Sequence, residues 1–316
     1  MKNLAEVIAH ITEQLDPNKE YWFRGHSKKE YKLIPTVLRP VREGESEYYD
    51  EAKLLTEFIR CTPSSRDTHK STLELLTYAQ HYGLPTRLLD WTQNLLVAIY
   101  FCCNQHHDSD GKVFILQRET ETNNRLPTIL FERLAQANDH FDVLSSILDR
   151  LNDLKNSEPK VYSNSIRING KPIEDFDITD QFARFCFISQ CFKGKGLFSI
   201  DSPVPGVTNH LIEGFYEYSP PLINERLKAQ KGCFTVHGGK IVKSNEVVRI
   251  KAIDHYQNEV ELPPSIFDTQ RLIEIVIPAG SKHTILQQLN ICGVNHASLF
   301  PELEHQTKMI KQNCIN

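Results

Sequence analysis

The spacing of apolar positions changes several times along the chain, and each change marks an element. Leu4, Val7, Ile8, Ile11 and Leu15 recur at helical spacing, so the chain opens on an amphipathic helix that ends before the turn Asp16-Pro17-Asn18. Tyr21, Trp22 and Phe23 then run directly into Arg24 and Gly25, and consecutive aromatics are strand material. After the extended connector KLIPTVLRP, the segment EGESEYYDEAKLLTEFIRC predicts a helix with acidic residues placed early, where the helix dipole favours them. Leu73, Leu76 and Ala79 set the face of a further helix, which Gly83 and Pro85 stop. NLLVAIYFCC is apolar almost throughout, as a buried element is, and GKVFILQRE follows as a strand.

Beyond residue 120 the pattern is harder to follow. Leu130, Leu134, Phe141, Leu144, Ile147 and Leu151 predict one or two helices over Leu126 to Leu154. Asn169-Gly170 between alternating segments is a hairpin signal, and Phe182, Phe185 and Phe192 read as core. FKGKG holds half of a phosphate loop but lacks the rest, so no P-loop is expected. The last third turns β-rich: a strand after Gly232, an alternating strand VVRIKAID, and RLIEIVIPAGSK with Glu274 inside it. Two helices close the chain, the first with Ile285, Leu286 and Leu289 on one face and Gly293 as its stop. The expected fold is α+β, a helix-rich N-terminal half packed on a mixed, β-rich C-terminal sheet.

Composition narrows the class. With 316 residues, 40% hydrophobic and 24% charged, the chain is globular and long enough for a sizeable core. A net charge of -4 exerts no global pull on nucleic acid or an anionic membrane, so either would need a local basic patch. The first residues lack the unbroken apolar core of a signal peptide, and no apolar run approaches the roughly 20 residues that span a bilayer. A soluble, cytoplasmic protein without a membrane partner is expected. None of the eight cysteines forms a C-x-x-C pair, which fits reduced thiols. Cys102, Cys103, His106 and His107 have metal-like composition, but adjacent cysteines on a regular element cannot both point at one ion, and no metal is expected.

Candidate chemistry concentrates between Ala79 and Thr92, in AQHYGLPTRLLDWT. His81, Tyr82, Thr86, Arg87, Asp90 and Trp91 together supply groups that bind anions, stack on rings and move protons. Arg87 and Asp90 lie three apart and would pair if Leu88 and Leu89 formed a helical turn. Such a pair serves equally as a site or as a strut tying the turn to the core. Arg24, closing an aromatic strand, calls for a carboxylate or phosphate partner, either an acidic residue of the chain in an internal ion pair or, the reading its neighbour Gly25 favours, a bound anion; Gly25 lets a ligand or a backbone come close. Three uses remain open: an enzyme; a nucleotide or nucleic-acid binding module in which Arg24 and Arg87 grip phosphate while Trp91 and Tyr82 stack a base; and a hydrolase with His81 as base and Asp90 as its orienter. Each expects Arg24, His81, Arg87 and Asp90 to line one cleft.

Five blocks, YWFRGHS, YKLIPTVLR, AQHYGLPTRLLDWT, ERLKAQKGCF and GVNHASLFPEL, resemble the FRG-domain family, whose name is the Phe-Arg-Gly found here as Phe23, Arg24 and Gly25. The resemblance implies one FRG-type domain over residues 1–316, with a variable helical and hairpin insertion at about 120–220. A second resemblance is to ADP-ribosyltransferases, in the order YWFRG, CFTVHG and RLIEIVIPAGSK. It implies NAD as co-substrate, with Arg24 on its phosphates or ribose, the Thr235 strand at the nicotinamide, and Glu274 on a ribose hydroxyl. It also implies a macromolecular acceptor, RNA, DNA or protein, as in toxins and phage-defence effectors. The chain departs from that pattern in having no Ser-Thr-Ser and in carrying Leu272 two residues before Glu274.

Overall fold

A computed structural model describes residues 1–42, 47–118, 215–237 and 272–314, with short pieces at 135–136, 167–168 and 171–172. The frame is a six-stranded sheet in the order β6-β7-β2-β1-β3-β8, in which every ladder is antiparallel. Its strands are β1 (Tyr21–His26), β2 (Leu88–Thr92), β3 (Gly111–Gln117), β6 (Phe215–Tyr218), β7 (Gly232–His237) and β8 (Leu272–Ile277). The α+β expectation holds, but half of the strands come from the first 117 residues, so the sheet is shared between the halves of the chain. A separate two-stranded pairing joins β4 (Arg167–Ile168) to β5 (Lys171–Pro172), and the expected turn at Asn169-Gly170 lies outside the described residues.

Strand alternation sorts the side chains into two cores. One face presents Phe23, Val113, Ile115, Ile275 and Ile277 to three helices: α1 (Leu4–Thr12), α5 (Leu95–Cys103) and α7 (Lys282–Ile291). Most of the predicted faces are buried, Leu4, Val7 and Ile11 from α1 and Ile285 and Leu289 from α7, while Ile8 and Leu286 are half-buried beside them and Leu15, also half-buried, lies past the end of α1. α5 presses so closely on β1 that a Cβ at Gly25 would collide with the Ala98 carbonyl and the Cys102 amide. Gly25 therefore admits the backbone of α5, not a ligand.

The other face gathers Trp22, Leu89, Trp91, Phe114, Leu116, Cys233 and Leu272 around Leu33. Here the central block departs from expectation: Leu88 and Leu89 form no helical turn but open β2, which pairs with β7 from Leu88↔Val236 to Thr92↔Gly232. The apolar run Leu-Leu with Trp two positions on satisfies the period of two as well as a turn would. Helix α4 (Thr72–His81) precedes it, capped by Ser71, whose side chain accepts from Glu74 N–H; Gly83 follows with φ +88°. β1 matches β3 at six positions, from Tyr21↔Gln117 to His26↔Lys112, but β2 at one, Phe23↔Thr92. Past that point the seam between β1 and β2 carries no ladder pair. The expected helices over 126–154, the phenylalanine cluster at 182–192, FKGKG and the strand VVRIKAID lie outside the described residues.

Candidate functional site

Arg24 projects into this unpaired seam. Its side chain keeps 17% exposure, and its Nη1 donates to the carbonyl of Asp90 while the Asp90 carboxylate stands 3.7 Å away. Its Nε donates to His26 Nε2 at 2.9 Å, so that ring nitrogen carries no proton, and His26 Nδ1–H donates to the Tyr31 carbonyl at 3.1 Å. His26 is thus neutral. Burial and the adjacent Arg24, reinforced by Arg39 and Lys112, push its pKa down to about 3. Burial also lowers Arg24 to about 10, against the pull of Asp90 and with the repulsion of Arg39. Arg39 is in turn lowered by burial and held up by Asp90 and Tyr31.

Arg24 thus stands beside a carboxylate that is itself 65% exposed, and Arg39, whose Nε donates to the Ile34 carbonyl at 2.7 Å, is held up by the same charge. Asp90 is fixed from the far side, where Gln80 Nε2 donates to its Oδ1 at 2.9 Å and Thr86 Oγ1 donates to Gln80 Oε1. The net charge of this trio is positive, and a guanidinium with an open edge is an anion receptor. Across the sheet the register runs Arg24↔Phe114↔Glu274, so Arg24 and Glu274 share a face and a row with one strand between them. Glu274 takes a hydrogen bond of 2.7 Å from Lys112 Nζ, whose ammonium also lies 5.2 Å from the centroid of the Phe114 ring.

On the same face a second polar chain is sealed inside. Trp91 Nε1 donates to Thr235 Oγ1 at 2.9 Å, and that hydroxyl shares a hydrogen bond of 2.8 Å with His237 Nε2. Burial, then Arg24 and Arg87, push His237 to about 3. Arg87 Nη1 donates to the His237 carbonyl at 3.1 Å, and its Nε and Nη2 hold Glu51 Oε2 at 2.9 and 2.5 Å. Arg87 is 1% exposed.

The predicted residues divide accordingly. Arg24 and Asp90 meet, while Glu274 stands in the row of Arg24 one strand beyond Phe114, its carboxylate bonded to Lys112. Arg87 does not pair with Asp90 as expected; Glu51, the first residue of α2 (Glu51–Cys61), takes it instead. β2 is extended, so residues three apart point to opposite faces. Thr86, Trp91 and Thr235 are buried and bonded within the protein. Trp91 and Arg87 thus have neither a free ring face nor a free fork for a nucleotide. His81 looks toward Glu302 at 3.9 Å, lowered by burial and by Arg226, and no described contact joins it to Asp90; the hydrolase pair is not assembled. Tyr82 is exposed and packs its ring against Tyr78 and His81. Among the described residues no group of three or more His, Cys, Asp or Glu could hold a metal ion, and no helix is long and apolar enough to cross a membrane.

His26, Arg39, Gln80, Lys112 and His237 belong to the neighbourhood and were not singled out by sequence. His26 was within reach, because strand alternation puts it on the face of Arg24 two residues on. Arg39 closes YKLIPTVLR, one of the five blocks. Nothing local marks Lys112.

Residues 19–111 match the model of the FRG domain, a span that includes Arg24, His26, Tyr31, Arg39, Arg87 and Asp90. The chain carries an FRG domain over that stretch, and β7 and β8, with Thr235, His237 and Glu274, lie outside it. No curated protein and no solved structure matches the chain.

Proposed function

We propose that this protein transfers ADP-ribose from NAD to a macromolecular acceptor. The observation that carries the reading is the row Arg24↔Phe114↔Glu274, which sets an anion-binding fork and a carboxylate on one face of one sheet. Two strand spacings separate them, about 10 Å between backbones. That span lets one ligand present its phosphates to Arg24 and a ribose to Glu274. In the reaction the bond between ribose C1′ and the nicotinamide nitrogen breaks and its electron pair leaves with nicotinamide. An acceptor oxygen or nitrogen then bonds to C1′ and gives up its proton. Positive charge on the ribose exists only in between, and a fixed carboxylate opposes it there and not in the ground state. Lys112 holds Glu274 in place. Thr235 is fully buried and bonded to Trp91, so it offers the ligand no exposed group.

The test is nicotinamide release and acceptor labelling by the wild type, Glu274→Gln and Arg24→Lys, with circular dichroism as the folding control. Glu274→Gln should fold and lose on the order of 100-fold to 1,000-fold in rate. Arg24→Lys keeps the charge but loses the fork, and should also weaken NAD binding. Full activity in Glu274→Gln, or a folded wild type that neither binds nor turns over NAD with RNA, DNA or protein acceptors, rejects the enzyme and leaves an anion-binding module built on Arg24 and Arg39.

A further inference from the structure

Two arginines beside this sheet are held in opposite ways. Arg87 gives Nε and Nη2 to the Glu51 carboxylate, which fixes the guanidinium and cancels its charge. Arg24 gives Nε to the imidazole of His26 at 2.9 Å and Nη1 to the carbonyl of Asp90, both uncharged acceptors. The Asp90 Oδ2 that it faces stands 3.7 Å from Nη1, beyond a hydrogen bond, and Nη2 takes part in no described contact. The edge formed by Nη1 and Nη2 is therefore aimed without being neutralised, and the bond at Nε sets the plane of that edge, because the guanidinium is rigid.

The acceptor is itself held fast. The His26 ring is 6% exposed and meets Phe114 edge to face, with centroids 4.9 Å apart. Its Nδ1–H goes to the Tyr31 carbonyl at 3.1 Å, and a proton committed there leaves Nε2 with the lone pair that Arg24 needs. The loop after β1 brings that carbonyl into place. Lys282, fully buried, donates from Nζ to the Ser27 carbonyl at 2.6 Å, and the Lys29 N–H donates to the Asp110 carbonyl at 2.8 Å, so the residues between His26 and Tyr31 are tied down twice. A core histidine could find its donor in the backbone; this one takes it from a guanidinium that opens on solvent.

We propose that His26 is a positioning residue: it fixes the plane of the Arg24 guanidinium through a neutral acceptor, so that the fork meets an anion with its charge intact. This rests on Arg24 as the anion receptor of the proposed function and adds the residue that prepares it. The probe is inorganic pyrophosphate, titrated calorimetrically against the whole chain, with circular dichroism as the folding control. His26→Gln offers Arg24 an amide oxygen and the Tyr31 carbonyl an amide N–H, and should bind like the wild type. His26→Leu removes the acceptor and should weaken binding on the order of 10-fold, the weight of one hydrogen bond. His26→Glu keeps an acceptor but charges it, making a pair like Arg87 with Glu51, and binding should fall on the order of 100-fold with the fold intact. A merely structural role would not separate Gln from Glu, which reach equally far. If His26→Leu is poorly folded, that comparison carries the test alone. Affinity unchanged in His26→Glu overturns the proposal, as does a His26→Gln variant as weak as His26→Glu. Arg24→Met tells this failure from that of the reading beneath it. Binding lost in Arg24→Met but indifferent to His26 leaves the receptor standing and rejects the positioning, whereas a wild type that binds pyrophosphate no better than Arg24→Met removes both.

Discussion

The clearest single test of how the central block works is to take away the partner of Arg87. Glu51 opens α2 after the cap Asp50, where a carboxylate is favoured by the helix dipole, and from there it takes Nε and Nη2 of Arg87. The side chains are 1% and 10% exposed, so neither charge has water to fall back on. Glu51→Gln keeps the shape and removes the charge, which leaves a guanidinium buried without a counterion. Breaking a buried pair from one side costs about 3 to 5 kcal/mol, a large part of the 5 to 15 kcal/mol that typically holds a domain. Arg87→Met should cost a similar amount by stranding Glu51 and the His237 carbonyl. The double variant Glu51→Gln with Arg87→Met removes both charges and should recover much of the loss. Urea unfolding of the four proteins closes the cycle, and a coupling of at least about 2 kcal/mol marks the pair as a strut. Pyrophosphate affinity at Arg24 should be unchanged wherever the variant is folded. A loss under about 1 kcal/mol in Glu51→Gln, together with weaker pyrophosphate binding, would refute the argument and return Arg87 to the ligand.

Two further outcomes follow, one from each face of the sheet. His26 and His237 are neutral in the fold with pKa values near 3, whereas an unfolded chain protonates them near 6.5, so the unfolded state binds more protons between those limits. Stability contributed by the pair is complete above pH 6.5 and is lost as pH falls toward 3, by up to about 2.7 kcal/mol per pH unit for two such groups. Urea unfolding across that window reads the slope, and His237→Gln should roughly halve it; a flat profile would mean the two rings are already charged in the fold. Gly25→Ala sets a methyl group against the backbone of α5, which cannot swing aside as a side chain would. A loss of about 3 kcal/mol or more is expected. An unaltered unfolding midpoint would show that the β1–α5 contact is looser than described.

How much of this was legible depends on whether a pattern is local. The helical faces of α1, α4 and α7 and the strands β1 and β8 follow from spacing alone, because each element buries its own apolar set. β2 was missed because its five residues hold too few alternations to outvote the Gly-Pro turn before them and the apolar helix after them. That one misreading carries the rest. A loop would have let Arg87, Asp90 and Trp91 converge, whereas a strand sends odd and even positions to opposite faces. Trp91 goes inward to Thr235 and Asp90 outward to the seam. Arg87, at the mouth of the strand, reaches back 36 residues for a carboxylate that nothing near it announces.

The division explains why a block so rich in chemical groups contributes one carboxylate to the candidate site. Each buried polar group in it demands a partner, and most of the block is occupied in satisfying that demand: Thr86 with Gln80, Gln80 with Asp90, Trp91 with Thr235, Arg87 with Glu51. Asp90, although bonded to Gln80, keeps its carboxylate largely exposed, because the single β1–β2 match at Phe23↔Thr92 leaves the strands unpaired where Arg24 emerges. The opening in the ladder, more than any residue in the block, is what makes a site there: it gives a largely buried guanidinium one face to solvent, and a fold that closed the seam would turn Arg24 into a second strut like Arg87.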